Sequence, residues 1–204
     1  TLSSVTAGSL VVANNGPTLN SNIEDNGVLD IAGTSSFTTS KDGSTITLNQ
    51  ANEFTGAVTL NTNGSGGDAL VDNGTTALDI AASTVRGDLT LTSGAAAGII
   101  DSGTVTVGGN LVAATDANNG IIDMGNLAVT GAITLTTNDD ANNNTGHATV
   151  VNATQVDLTE SSIDGNLIVT ATSGNVEDSG VLTVTGTSSF TTSASGADIV
   201  LNNE

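Results

Sequence analysis

The residues of this chain that could do chemistry are mostly carboxylates in glycine-rich turns. The motif Asp-x-Gly recurs, with its acid at Asp25, Asp72, Asp101, Asp123 and Asp178. Carboxylates can act as general acids or bases, and they can hold a cation. An active site is normally built once, however, so a recurring motif favours a structural role. We therefore predict turns in which the carboxylate accepts a backbone N–H and the glycine adopts a positive φ.

Asp140, Asn142 and Asn144 form the strongest metal-binding pattern, because alternate oxygen-bearing side chains can surround a hard cation. The pattern departs from an EF-hand loop, since Gly146 comes one position late and Val151 stands where the last ligand would be glutamate. The glycine-rich nonapeptide of calcium-binding β-rolls is also absent. A solvated polar loop is therefore favoured. The three residues are weak Ca²⁺ candidates, and we predict no other cofactor.

Other reaction types lack their residues. His147 is the only histidine, which argues against a nucleophilic triad, and Lys41 and Arg86 are the only basic residues. The strongest enzyme alternative is a polysaccharide-cleaving β-helix, which would use paired carboxylates or a base beside bound cations. Carbohydrate grooves commonly carry aromatic platforms, but this chain has no Tyr and no Trp. We predict that the chain is not an enzyme and has no catalytic residues.

Paired threonines raise the alternative of an ice-binding face. The pairs are Thr45/Thr47, Thr90/Thr92, Thr104/Thr106, Thr134/Thr136 and Thr183/Thr185. Ice binding would require them to align in successive coils, yet the matching positions also hold Asp30, Val112, Ala128 and Ile168. The ordinary preference of threonine for the exposed face of a strand explains the pattern better.

Charge excludes several partners. The 204 residues carry 21 acidic and two basic side chains, for a net charge of −19. Nucleic acid is excluded as a partner, because binding its phosphates requires Lys and Arg. Anionic membrane surfaces are disfavoured for the same reason. No apolar run approaches the length needed to cross a bilayer, so we predict no membrane insertion.

Glycine followed by alternating apolar and polar residues recurs along the chain, as in 87–91, 109–113, 125–129 and 165–169. Period-2 alternation predicts short strands with one buried face, and no segment has helical periodicity. Recurrence at about 22 residues predicts an all-β fold, a right- or left-handed parallel β-helix or β-solenoid. Phe37, Phe54 and Phe190 are expected to fill its wider coils. The other expected inward residues are Leu10, Leu29, Ile31, Ile46, Leu48, Leu89, Leu91, Leu111, Leu127, Val129, Leu167, Val169, Leu182 and Val184.

Residues 23–50 recur at 176–203, shifted by 153 positions without a gap and with 17 identities in 28 positions. A 153-residue period would hold close to seven coils, returning loops and phenylalanines to the same face. We predict one continuous solenoid over 1–204, containing one repeat and the start of the next. Both termini fall inside the repeat pattern, so we expect axial stacking, within a longer chain or between copies.

Three features together suggest a family. They are Gly-x-Leu-x-Val-Thr strands such as 125–130 and 165–170, the Gly-Thr-Ser-Ser-Phe-Thr-Thr-Ser corners at 33–40 and 186–193, and Asn-rich turns. In these features the chain resembles the repeat regions of giant bacterial surface proteins. These are the filamentous haemagglutinin-like exoproteins of two-partner secretion and related β-strand-repeat adhesins. The resemblance implies a right-handed β-helix shaft that is secreted, extended and non-enzymatic, and it transfers no functional residues.

Two functions follow as hypotheses. The first is a structural segment of an extracellular filament or adhesin stalk at the cell surface, whose partners are copies of itself stacked end to end. The second is a surface-binding module that engages a glycan, a cell surface or Ca²⁺ through polar loops. The loops in question are the Asn-, Gly- and Asp-rich segments Asn61–Asp68 and Asn138–Gly146.

Overall fold

The computed structural model describes residues 1–17, 21–138 and 145–203. Over these residues the chain forms 25 short β-strands and no helix. The described residues therefore contain no helix that could cross a membrane. The strands belong to three sheets that form the sides of a coil. Sheet I is the smallest and contains β1 (Val5–Ala7), β4 (Leu29–Ile31) and β7 (Glu53–Phe54).

The two larger sheets have eleven strands each and run through the coils. Sheet II contains β2 (Leu10–Asn14), β5 (Ser35–Asp42), β8 (Val58–Asn63), β10 (Leu78–Ile80), β11 (Ser83–Val85), β13 (Ile99–Asp101), β14 (Val105–Val107), β16 (Ile122–Val129), β18 (Ala148–Asn152), β21 (Leu167–Ala171) and β24 (Ser188–Thr192). Sheet III contains β3 (Ile23–Glu24), β6 (Ile46–Leu48), β9 (Ala69–Asp72), β12 (Leu89–Ser93), β15 (Leu111–Asn118), β17 (Ile133–Asn138), β19 (Val156–Leu158), β20 (Ser161–Ile163), β22 (Val176–Asp178), β23 (Leu182–Val184) and β25 (Ile199–Val200).

Every strand pairing is parallel and joins one coil to the next. Leu89 pairs with Leu111 and Leu111 with Ile133, a step of 22 residues. Paired residues lie 19 apart at the closest, from Ala148 to Leu167, and 26 apart in the longest coil. The fold is a β-solenoid of about eight turns, which at about 4.8 Å per turn is roughly 38 Å long. The predicted fold class and coil length are confirmed.

The core consists of stacked aliphatic columns. Strand residues alternate between buried and partly exposed, as in Leu89 to Ser93 of β12, because successive side chains point to opposite faces. Most of the predicted inward residues are buried; Leu10, Leu182 and Val184 are only partly so, because they lie in the end coils. Phe37 and Phe54 are fully buried and pack edge to face, with ring centroids 5.7 Å apart.

The 153-residue repeat spans seven coils, because β3 and β22 are seven strand steps apart in sheet III. One side-chain bond between coils repeats with the backbone. Asn22 Oδ1 accepts the N–H of Thr45 at 3.0 Å, and Asn175 Oδ1 accepts that of Asp198 at 2.9 Å. Phe37 and Phe190 both lie in sheet II, as the sequence predicts. The repeat therefore recurs in three dimensions at these positions, although β4 lies in sheet I and its counterpart β23 in sheet III.

Candidate functional site

Three of the Asp-x-Gly carboxylates clamp one coil to the next. Asp25 accepts the N–H groups of Asn49 and Gln50 at 2.9 and 3.4 Å. Asp101 accepts those of Gly125 and Asn126 at 3.0 and 2.9 Å, and Asp178 those of Asn202 and Asn203 at 2.9 and 3.3 Å. Asp72 instead accepts the N–H of Gly74 in its own turn, and Asp123 is exposed on β16. The donors thus come chiefly from the following coil.

The prediction of positive φ at the Asp-x-Gly glycines is wrong for all but one. Gly74 has φ of +50°, whereas Gly27, Gly103, Gly125 and Gly180 lie outside the left-handed region. A Cβ on Gly27, Gly103 or Gly180 would lie 2.8, 2.5 or 2.3 Å from a backbone nitrogen of the preceding coil. Glycine is therefore required at these three positions by the close approach of two coils.

The three clamps divide the repeat in half. Asp25, Asp101 and Asp178 lie 76 and 77 positions apart, which is about three and a half coils. They follow or end strands of sheet III, sheet II and sheet III in turn. Each half-period therefore moves the clamp to the opposite sheet.

Asp and Asn side chains, together with the backbone of the preceding glycines, also form ladders of hydrogen bonds along the corners of the solenoid. Asp68 Oδ1 accepts the N–H of Asp88, Asp88 that of Asn110, and Asn110 that of Ala132, at 2.9, 2.7 and 2.9 Å. The preceding glycines stack as well, since Gly109 N–H donates to Gly87 O. Gly87 and Gly109, which open the strand motifs 87–91 and 109–113, are thus corner residues, and the carbonyl of each accepts an N–H from the next coil.

His147 belongs to a second ladder of this kind. Its Nδ1 accepts the N–H of Asn166 at 2.9 Å, and Asn166 Oδ1 accepts that of Thr187 at 2.9 Å. The ring nitrogen therefore occupies the position of an Asn or Asp oxygen. This contact assigns the single histidine a structural role at a corner.

Two buried asparagines replace missing ladder bonds. Asn73 and Asn152 are fully buried, and each accepts a backbone N–H of the preceding coil, from Phe54 at 2.7 Å and from Val129 at 2.8 Å. Each also donates its amide to the carbonyl of that same residue, at 3.1 and 3.0 Å. The sequence alone assigns no role to either side chain. The only signal available was their recurrence 79 positions apart, each shortly before an apolar-Asp-apolar strand.

Buried threonines clamp the longer loops. Thr39 Oγ1 donates to Ser44 O and Thr115 Oγ1 to Gly120 O, both at 3.1 Å and both across five positions. Thr62 makes the same bond to Gly67 O, and Thr137 bonds Gly146 O at 2.6 Å. The loop Asn61–Asp68 is therefore held down at its base.

The surroundings of Asp178 shift the pKa of its carboxyl group. It is buried, with 8% of its surface exposed. Burial alone raises its pKa, but the hydrogen bonds from the backbone of Asn202 and Asn203 and from the Asn203 amide outweigh that effect. The pKa therefore lies below its ordinary value of 3.8. The clamp is favoured in the ionised form because charged acceptors form the stronger hydrogen bonds.

The Ca²⁺ candidates Asp140, Asn142 and Asn144 lie outside the described residues. Within 1–17, 21–138 and 145–203, no three His, Asp or Glu side chains come close enough together to hold a metal ion. The threonine pairs do not align, because the outward column of sheet III runs Thr47, Leu70, Thr90, Val112 and Thr134.

Two concave surfaces are the most site-like features of the described part of the chain. One is an open groove of about 580 Å³, here called the hydroxyl groove, lined by Thr134, Thr136, Thr159, Glu160, Ser162 and Thr183. The other is a cavity of about 370 Å³ at the last coil, here called the end socket. It is lined by Asp178, Leu182, Val184, Phe190 and residues 201–203.

The model of a family described as "Repeats of unknown function (DUF5649)" matches residues 1–61 and 145–204, more than half of the chain. The chain belongs to this family. Each matched stretch contains one copy of the 28-residue segment that recurs 153 positions apart, 23–50 in the first and 176–203 in the second, so each match includes a clamp, at Asp25 or at Asp178. No curated protein and no solved structure matches the chain.

Proposed function

We propose that this DUF5649 repeat is a non-enzymatic structural segment of an extracellular bacterial filament or adhesin stalk, and that it assembles by axial stacking of its coils. The likeness to haemagglutinin-type surface repeats supports the location at the cell surface. The recurring polar side chains support the structural role, because the clamps, ladders and buried asparagines all bind backbone groups of a neighbouring coil. A shaft requires this kind of coil-to-coil bonding.

The end coils carry the proposal. Leu2, Val5 and Ala7 pack on the core at one end but stay partly exposed. At the other end Ile199 is 45% exposed, although Ile46, its counterpart in the repeat, is fully buried. Both ends also present strand edges, which favour pairing with a further strand. Another coil placed on either end would bury these apolar side chains to the extent seen in the interior coils.

Charge does not prevent such stacking at physiological ionic strength. A net charge of −19 is spread over a rod of about eight coils. Exposed charges farther apart than about 8 Å are largely screened at about 0.15 M salt, whereas at about 0.01 M the range extends to about 30 Å. Only the charges of the two or three coils nearest a junction then repel each other. Stacking should therefore strengthen as salt is added.

Sedimentation velocity and negative-stain imaging of the purified chain test the proposal. At about 0.15 M salt we expect rods whose lengths are multiples of roughly 38 Å, and at about 0.01 M single units. Ile199→Lys should abolish the longer rods, because it places a charge on the end surface. Ile168→Lys is the matched control, since Ile168 is 46% exposed on the lateral face. Single units at every salt concentration, or loss of rods with both variants, would contradict axial stacking between copies.

The second candidate is a surface-binding role, which the hydroxyl groove favours. Its rim presents Thr136 and Ser162 from paired strands, beside the carboxylate of Glu160, and such a hydroxyl-rich surface suits a glycan. Glycan-array binding that is lost in a Thr136→Val/Ser162→Ala variant would support it. An array without a hit at high protein concentration would leave only the structural role.

A further inference from the structure

The end socket is a copy of an interior surface. Its residues Asp178, Leu182, Val184 and Phe190 each stand 153 positions after a residue of the interior coil 23–50. The remaining lining residues, including 201–203, also fall within 176–203, so the whole socket belongs to the repeated segment. What the interior copy binds therefore indicates what the socket is shaped to bind.

In the interior copy, the segment Asn52–Phe54 covers this surface. Asn52 is fully buried; its Oδ1 accepts the N–H of Leu29 at 2.8 Å, and its amide donates to Asp25 Oδ2 at 2.7 Å. Phe54 pairs with Ile31 and packs its ring against Phe37. An amide and an aromatic ring two residues later thus complete the coil.

The socket presents the same groups in the same orientation. Asp178 accepts two backbone N–H groups of the next coil, those of Asn202 and Asn203, just as Asp25 accepts two. The corresponding distances agree within 0.1 Å. Val181 O and Val28 O each accept an N–H from the preceding coil. The N–H of the next residue points the opposite way, so the N–H of Leu29 faces Asn52 and that of Leu182 faces the open end. Phe190 is only partly buried, whereas Phe37 is fully buried.

We propose that the end socket binds a parallel β-strand carrying Asn-x-Phe, in the register of Asn52–Phe54. The inference rests on axial stacking and deepens it, because it names the kind of coil that stacks best. The first coil of this chain is a poorer fit. Val5 pairs with Leu29 and Ala7 with Ile31, so Val5 and Ala7 hold the places of Asn52 and Phe54. The partner is therefore a further repeat coil with the Asn-x-Phe sequence.

The probe is a synthetic peptide of residues 50–63, labelled with fluorescein and added to the full chain at about 0.15 M salt. Fluorescence polarisation measures its affinity. The control peptides carry Asn52→Ala or Phe54→Ala, and a third spans 1–14, the first coil. We expect the unmodified peptide to bind at least about tenfold more tightly than each control, the effect of losing one hydrogen bond to a charged group or one aromatic contact.

Variants of the chain locate the binding. Phe190→Ala and Asp178→Ala should each weaken it about tenfold, whereas Ile168→Ala on the lateral face should not. Methyl shifts of Leu182 and Val184 on peptide addition report the site independently of these variants, should the last coil unfold in them. Equal binding of all peptides, or shifts confined to other coils, would overturn the inference.

The same peptide separates this inference from the proposal of stacking. If the peptide binds at Leu182 and Val184 while the chain stays in single units, the socket is right and stacking between copies is wrong. If the chain forms rods that the peptide neither binds nor shortens, stacking stands and the inference fails.

Discussion

The buried amide of Asn152 should be among the most sensitive polar positions of the solenoid. In Asn152→Leu the N–H of Val129 loses its partner at 2.8 Å, and the C=O of Val129 loses the amide at 3.0 Å but keeps the hydroxyl of Thr154. Each unsatisfied buried group costs about 1–3 kcal/mol. Burial of the new leucine side chain returns up to about 2 kcal/mol. The unsatisfied N–H and the lost hydrogen bond to the C=O together cost about 1.5–4.5 kcal/mol, or about 3 at mid-range, so after this return the free energy of unfolding should fall by about 1–3 kcal/mol.

Asn110→Leu is the matched control, because Asn110 is exposed and makes one backbone contact that water can replace. Its expected cost is below about 0.5 kcal/mol. Urea unfolding followed by far-UV circular dichroism measures both variants, since the chain has no Trp or Tyr. Hydrogen exchange of the Val129 amide adds a local measurement, which matters because coils of a solenoid can open separately. Equal costs for the two variants, or an unchanged Val129 amide, would refute the reasoning.

Three other predictions follow from the corners and clamps. His147→Asn should leave the melting temperature unchanged, because an amide oxygen can accept the same N–H, whereas His147→Leu should cost about 1 kcal/mol. Gly103→Ala should destabilise the chain by at least about 2 kcal/mol through overlap with the preceding coil, while Gly125→Ala, whose Cβ meets no atom within 4 Å, should be neutral. Because the folded pKa of Asp178 lies below 3.8, its stabilisation is complete above that pH and disappears as the pH falls through the folded pKa. Hydrogen exchange at 199–203 should therefore accelerate below pH 3.8 in the natural chain, and Asp178→Asn should lack this step.

The architecture was predictable because every coil contains its own local signal. Alternating apolar residues after a glycine predict a strand whatever its partners are, and Leu89, Leu111 and Leu167 are buried as that pattern requires. The number of coils per repeat followed from the same spacing. The partners of the polar side chains were not predictable, because they lie about one coil away and the coil length varies from 19 to 26 residues.

One tripeptide shows this limit directly. Asp-Asn-Gly occurs at 25–27 and at 72–74. At the first copy the Asp reaches the next coil and Asn26 is exposed; at the second the Asp caps its own turn and Asn73 is fully buried. At the first copy β4 begins two residues after the glycine and continues sheet I. At the second copy no strand of sheet I follows. The side-chain amide of Asn73 therefore bonds the backbone of Phe54 in place of a further strand.

The direction of the side-chain bonds gives the solenoid a polarity along its axis. At the corners the earlier coil supplies the accepting oxygen and the later coil the N–H, as in Asp88 with Asn110. At the inner positions the later coil supplies the oxygen, as in Ser83 with the N–H of Leu60. The two faces of a coil along the axis therefore carry complementary groups. Joining two units through the same face would place carboxylate against carboxylate. Head-to-tail growth satisfies both sets of bonds, so an assembly built from these coils should be polar.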